Sequence, residues 1–414
     1  MSNQLQWIEP ENYPRLANVR MRCYSPSTDR YSKYIDELSG PNSLVKPGDA
    51  VIATRNGVDV GTATSLQLSM WVRGARLSCQ GVAYVGTIKT HRRLGNASGG
   101  GETGVATQIM HAILERGRER SCAISALMPF RASFYEHFGY GNAERLTAWT
   151  VPLAILPRSR SDNFRFFDPD QDHGLIHDLR SREVRAGQCD VETTPQMLAN
   201  WASAWSGGMV FIDHAPGGAA RSYAFVTEDR KPEAATLQVQ EWGCESPDAL
   251  ASMLTFFSSL RDQYSSMTIT LPGDLPLNRL LRETQVPHRQ VDHPFALPRP
   301  FTRMQIRILD HRTVLEALQL PGHIKGKCSV AIGESEGTVT RLALDFEGGR
   351  IRVSTGPADC DIECSDVVWA SLVSGDLAAS LAHRFDRFRV HTPEAVTLLE
   401  SLSAGPAPFC QEYF

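Results

Sequence analysis

Long apolar runs are missing from the 414 residues, and none reaches the ~18–20 that a membrane-spanning helix needs. The opening MSNQLQWIEPENYPRL is polar and lacks the apolar centre of a secretory signal. A cytoplasmic protein with no membrane partner is therefore expected. A dominant charge is missing too, since 42 Lys and Arg stand against 46 Asp and Glu for a net charge of −4. That balance excludes a broad polycationic footprint, and no nucleic acid is expected as partner. Metal-ligand spacing is equally scarce. Of nine cysteines only Cys360 and Cys364 lie close together, and no second pair stands at zinc spacing. No metal is expected, and the thiols read as reduced and buried.

What is present is the alternation of an α/β (α+β) protein, at a length that suits two to four domains of roughly 100–200 residues. GVAYVGTI at 81–88 has the period of a strand, and a basic turn, HRRLG, follows it. After the glycine-rich NASGGGETG, Val105, Ile109 and Ile113 recur at helical spacing. Strand CAISALM and a short helix RASFYEHF come next, the latter ended by Gly139 as a left-handed cap. The middle third repeats this grammar: strands RSYAFVTED and ATLQVQEWG, a helix opened by Ser246-Pro247-Asp248, then strand MTITLP and a helix near LNRLLRE. A weak internal duplication explains the recurrence. The Pro-rich HPFALPRPF (293–301) is the best linker in the chain. Beyond it come strand MQIRILD, helix HRTVLEAL, a hairpin turning at Glu347-Gly348-Gly349, helices capped by Ser365 and Thr392, and a proline-braced tail ending on an aromatic residue.

Two stretches carry chemistry. The strand–basic turn–helix of 82–115 suits a pyrophosphate, because a helix N-terminus offers unpaired N–H groups, glycine permits close approach and arginine adds charge-assisted bonds. Arg92-Arg93-Leu94-Gly95-Asn96-Ala97 fits the R-x-x-G-x-A pattern with which Gcn5-related N-acetyltransferases (GNATs) cradle coenzyme A; a plain basic surface turn is the competing reading. The second stretch is FYEHFGYG at 134–141. Its Tyr135 sits where a phenol can give its proton to a departing thiolate, whereas Phe134, Phe138 and Tyr140 read as packing. Cys122 as a covalent nucleophile is the rival chemistry, but it has no obvious histidine partner.

Together, VGTIKTHRRLG (85–95), PFRASFYEHFGYG (129–141) and the terminal aromatic resemble the Eis-type (enhanced intracellular survival) acetyltransferases. The resemblance implies a catalytic GNAT domain over 1–150, a second, degenerate GNAT-like domain over 151–297 and a sterol-carrier-protein-like domain over 298–414. It implies acetyl-CoA as co-substrate, an aminoglycoside, polyamine-like or lysine amine as acceptor, and a homohexamer. Tyr135 would be the general acid and the α-carboxylate of Phe414 the general base. Coenzyme contacts would fall on Val85, Gly86 and Thr87, on Arg92 to Ser98 (Arg93, Leu94, Gly95, Asn96, Ala97), and on Phe130 and Arg131. The 96–104 stretch departs from the family and leaves two placements. Either Gly95-Asn96-Ala97 wraps the pyrophosphate, or Gly104, Val105 and Ala106 supply the helix-end amides. Tyr84 and Glu412 are the acceptor-binding candidates, with Glu412 read as a residue of an exposed tail. The alternative is an inactive acetyl-CoA- or lipid-binding protein on the same scaffold.

Overall fold

The structure, a computed structural model, describes residues 3–24, 28–92, 104–158, 163–204, 207–214, 218–231, 234–283 and 294–414. The chain opens with β1 (Gln4–Ile8), α1 (Tyr13–Tyr24), α2 (Thr28–Ser39), β2 (Ala50–Arg55), β3 (Val58–Val72) and β4 (Ala75–Thr87). It continues with α3 (Val105–Glu119), β5 (Ile124–Leu127), α4 (Ala132–Glu136) and β6 (Gly141–Asn142). Next come β7 (Leu146–Pro152), β8 (Phe164–Phe166), α5 (Pro169–Ala186), β9 (Asp190–Val191), α6 (Pro195–Ala204), β10 (Met209–His214), β11 (Ala220–Arg230) and β12 (Ala235–Cys244). Helix α7 (Pro247–Ser259), β13 (Ser266–Pro272) and β14 (Leu297–Phe301) complete the middle. The remainder holds β15 (Gln305–Ile308), α8 (His311–Ala317), β16 (Gly326–Gly333), β17 (Val339–Glu347), β18 (Arg350–Thr355), β19 (Ile362–Ser365), α9 (Asp366–Ser374), α10 (Ala379–Arg384), β20 (Arg389–Val390) and α11 (Pro393–Glu400).

Two compact units result. The first holds residues 1–143, 304–404 and 413–414, and the second holds 144–303 and 405–412. In the first, a mixed sheet runs β1-β2-β3-β4-β5-β15-β6. Helices α1 and α3 close it with an apolar core of Leu16, Val19, Ile52, Val82, Ile109, Ile113 and Tyr140. The same unit contains a five-stranded sheet, β18-β17-β16-β19-β20. The second unit is built on the seven-stranded order β14-β7-β13-β12-β11-β10-β8. Both carry the same motif: two parallel strands joined through a helix, β4-α3-β5 in one and β12-α7-β13 in the other.

Three local readings change. The Pro-rich stretch expected as a linker contains strand β14, which pairs antiparallel with β7. An edge strand accepts prolines at alternate positions because the missing N–H groups would face away from the ladder. LNRLLRE forms only a 3-10 turn, Leu277–Leu280, and the helix opened by Ser246-Pro247-Asp248, whose pattern predicts a run to about Tyr264, stops at Ser259. Gly139 does take the left-handed conformation that ends the helix before it, with φ +76°.

The part of the first unit beyond residue 303 buttresses the helix that carries Tyr135. Strand β15 lies between β5 and β6, antiparallel to both. From it the buried Arg307 donates to the Phe138 carbonyl at 2.5 Å and to Ser335 Oγ at 3.1 Å, and lies 2.9 Å from Glu336. Gly141 is pressed onto α9, so a Cβ there would stand 2.0 Å from the Val367 carbonyl oxygen. Backbone cannot yield as a flexible side chain can. Gly141→Ala is therefore expected to lower stability by about 1–3 kcal/mol, the usual cost of overpacking, read as a lower thermal midpoint. An unchanged midpoint would contradict this packing.

Candidate functional site

The ladder between β4 and β5 is short. Cys79 to Val82 pair with Ile124 to Leu127, and there the parallel pairing stops, although β4 runs on to Thr87. Two strands that pair and then part leave a wedge at the C-terminal end of the sheet. On its other side β4 slips register against β3: Thr64 faces Ala83 but Thr62 faces Gly86, so β4 carries an extra residue. The bulge centres on Tyr84, a non-glycine residue at φ +53°. A bulge takes backbone groups out of the ladder and re-aims them, and such strain persists only where neighbours hold it in place.

The neighbours are specific. Tyr84 donates its phenolic hydrogen to Glu37 at 2.6 Å. The Arg20 guanidinium lies 3.9 Å from the Tyr84 ring centroid, and the rings of Tyr24 and Tyr34 meet it edge-on at 6.0 Å. Arg20 is fully buried and donates to Thr64 Oγ1 at 2.8 Å, on the strand facing the bulge. Its guanidinium thus grips both strands at the slip. Neither Arg20 nor Glu37 was found from sequence. Arg20 interrupts the apolar face of α1 with no motif around it, and Glu37 sits on a helix whose own pattern gives no reason to single it out.

Gly86 is required by sterics. A Cβ there would lie 2.9 Å from the Cys23 Cβ and 3.1 Å from the Tyr24 hydroxyl oxygen. The Cys23 thiol, buried against β4, is pushed up to about 11 by desolvation. Burial raises Cys122 as well, so its thiol stays protonated and is a poor nucleophile.

Tyr135 is 3% exposed on α4. Phe134, Phe130 and Tyr140 surround it edge-on, with centroids 4.9, 5.8 and 6.1 Å away. Burial, with a smaller contribution from Tyr140, raises its pKa, so the phenol holds its proton at neutral pH. Phe130 is 76% exposed, and Arg131 is the residue that precedes the first turn of α4. Phe414 belongs to the same unit. Its ring lies over β4, where a Cβ on Gly81 would meet it at 3.0 Å.

At the start of α3, Gly104 is the N-cap without any side-chain capping bond, and the first turn holds no acidic residue. Its amides, including those of Val105 and Ala106, form an end suited to anions. Arg92 donates to the Thr87 carbonyl at 3.3 Å. The expected contacts at Arg93, Leu94, Gly95, Asn96, Ala97 and Ser98 lie outside the described residues.

The second unit repeats the wedge but closes it. Strands β12 and β13 pair only over Thr236–Gln238 and Ser266–Thr268. Strand β12 also bulges, with Phe225 facing Glu241 and Val226 facing Val239. Here Trp242 donates from its indole nitrogen to the Thr270 carbonyl at 2.8 Å, spanning from one strand to the other. The helix end is taken as well: Ser246 accepts from Ala249 N at 3.2 Å, and Asp248 adds a negative charge in the first turn. Glu412, read as exposed, is 1% exposed in this unit, where it accepts from Thr193 and is pushed up to about 8 by desolvation.

With its thiol near 11, Cys23 holds about one thiolate in a thousand at pH 8, rising tenfold per pH unit. Native protein treated with iodoacetamide at pH 8 is expected to leave Cys23 unmodified by mass spectrometry, and denatured protein to label it fully. Rapid modification of the native thiol would contradict the packing of α1 on β4.

Residues 7–143 match a family model described as an acetyltransferase (GNAT) domain, and residues 197–308 match a second model of the same description. No curated protein matches the sequence. Among solved structures, a GCN5-related N-acetyltransferase from Anabaena variabilis aligns over 100% of both chains at 18% identity and TM-score 0.83. A conserved protein of unknown function from Enterococcus faecalis, a probable N-acyltransferase, aligns over 100% of both at 18% and 0.82. Eis1 from Mycobacterium abscessus does so at 16% and 0.79. At these identities the likeness concerns the fold. Among the described residues no helix is long and apolar enough to cross a membrane, and no group of three or more His, Cys, Asp or Glu is placed to hold a metal ion. The two matched acetyltransferase (GNAT) domains, on two sheets that each part beside a connecting helix, mark this chain as an acyltransferase.

Proposed function

We propose that the chain is an Eis-type, acetyl-CoA-dependent N-acetyltransferase of amines that works by direct transfer in the first unit. The observation that carries the reading is the Phe414 ring lying against Gly81 on β4, the strand that also holds the strained bulge at Tyr84; Tyr135 stands on the helix after β5, the strand paired with β4. The pantetheine arm would lie along Val85, Gly86 and Thr87, with the pyrophosphate at the N-terminal end of α3 near Gly104 and Ala106. The amines considered are those of aminoglycosides, polyamine-like molecules and lysines. The sterol-carrier-like reading of the last domain, hexameric assembly and a cytoplasmic location are carried over from the resemblance.

The division of labour follows from proton affinities. An amine of pKa near 10.4 is protonated at pH 7, and exposing its lone pair costs about 4–5 kcal/mol. The α-carboxylate of Phe414 binds that ammonium and accepts its proton directly or through water. The lone pair attacks the thioester carbon, and the oxygen that becomes negative accepts a hydrogen bond from the Val85 N–H. As the tetrahedral species collapses, the C–S bond breaks and Tyr135 gives its proton to the departing sulfur. A phenol whose pKa lies above its ordinary value arrives protonated, as an acid must.

Thiol release with a polyamine panel is expected in the native protein. Tyr135→Phe and a C-terminal extension beyond Phe414 should each lower turnover by about 10²–10⁴-fold, the usual range for a lost general acid or base, with acetyl-CoA affinity within about threefold. Because Tyr135 titrates above its normal range, turnover should climb with pH as the amine deprotonates, with no falling limb from the phenol below about pH 10. Equal turnover in all three proteins would remove both assignments.

A further inference from the structure

The second unit keeps the architecture of an acetyltransferase domain, but Trp242 bridges its wedge, and Ser246 and Asp248 occupy the end of α7. What it does hold is the segment 405–412 of its own chain. Every residue from 407 to 412 is bonded there. Asp274 accepts from Ala407 N at 2.7 Å, Arg145 N donates to the Pro408 carbonyl at 2.9 Å, and Phe409 N donates to the Gln188 carbonyl at 2.9 Å. Glu144 accepts from Cys410 N at 3.1 Å, Asp190 accepts from Gln411 N at 3.2 Å, and Thr193 donates to Glu412. The Phe409 ring packs with Trp242 at 6.0 Å, so the residue that fills the wedge also contacts the segment.

We propose that the second acetyltransferase-like unit is a receptor for the chain's own segment 405–412, having exchanged coenzyme binding for that task. Asp274, Glu144 and Asp190 are then positioning residues for acetyl transfer. Three carboxylates on backbone N–H groups are strong acceptors. They fix the main chain itself, so the hold depends little on which side chains the segment carries. Only Tyr413 and Phe414 follow it, and both belong to the first unit, where the Phe414 ring meets β4. A base carried on a chain end has many conformers to lose. Anchoring six successive residues removes that entropy before substrate arrives, which is how positioning contributes to rate. The duplication therefore supplies one reaction site and one clamp rather than two enzymes. The inference rests on the reading of Phe414 as the base.

The test is native-state hydrogen exchange of the full-length chain, read together with steady-state kinetics. Amides of Ala407, Phe409, Cys410 and Gln411 are expected to exchange at least about 100-fold more slowly than an unstructured peptide. Asp274→Ala, an exposed position with one bond to the segment, should accelerate exchange at Ala407 and lower kcat about tenfold. KM for acetyl-CoA should stay within about twofold, and Asp274→Asn, which retains an acceptor oxygen, should restore kcat. Calorimetry should find one acetyl-CoA per chain. Unprotected amides in the native protein, a freed segment with unchanged kcat, or two coenzymes per chain would each overturn the proposal. Tyr135→Phe separates the two readings, since it should lose turnover with the amides still protected. A native protein that transfers no acetyl group refutes the assigned reaction, whatever the exchange rates.

Discussion

Two neighbouring parallel strands, β4 and β5, pair over Cys79–Val82 and Ile124–Leu127 and then separate, and the reaction proposed for the first unit depends on that separation. A fully paired sheet has no backbone groups to offer a thioester. A sheet that parts next to a helix N-terminus offers them in a cleft with an anion site at one end. Keeping the strands apart requires bracing, because unmade pairing invites closure. The bracing comes from the slip of β4 against β3, with Tyr84 held at positive φ between the Arg20 guanidinium and the Glu37 carboxylate. Gly86 then lets α1 bring Cys23 and Tyr24 close against β4.

The same constraint explains how a duplicated unit diverges without losing its fold. In the second copy the strands also part, and β12, which borders the wedge, also slips against β11. One indole is enough to cross that gap, and one serine with one aspartate is enough to take the helix end. None of these changes disturbs the apolar core of Leu237, Met253, Phe257 and Ile269 beneath. On the proposed reading, fold and coenzyme binding are separable: the first is set by the buried face of the sheet, the second by a few groups at its rim.

Much of this architecture can be read directly along the chain. Period-two runs mark β4 and β12, Ser246-Pro247-Asp248 marks the start of α7, and Gly139 marks the end of α4, because each is a local preference of backbone and nearest neighbours. The short helix that carries Tyr135 can be placed from sequence because its neighbourhood is contiguous: strand, proline turn and short helix stand next to one another. Arg20 and Glu37 cannot, since their meaning lies in a tyrosine about fifty to sixty residues away that they touch only after the sheet forms. The edge placement of Pro298 and Pro300 is similar, for a proline reads as a linker until a partner strand is known.

The sequence by itself determined the class of fold and the strand–turn–helix grammar, both of which rest on interactions within a few residues of one another. Only tertiary structure decided that β15 lies between β5 and β6, that Glu412 is buried beside Thr193, and that Phe414 rests over Gly81. These contacts join residues up to more than three hundred positions apart. Their energies come from burial and hydrogen bonding that exist only once the sheets are assembled, and no local pattern along the chain records them.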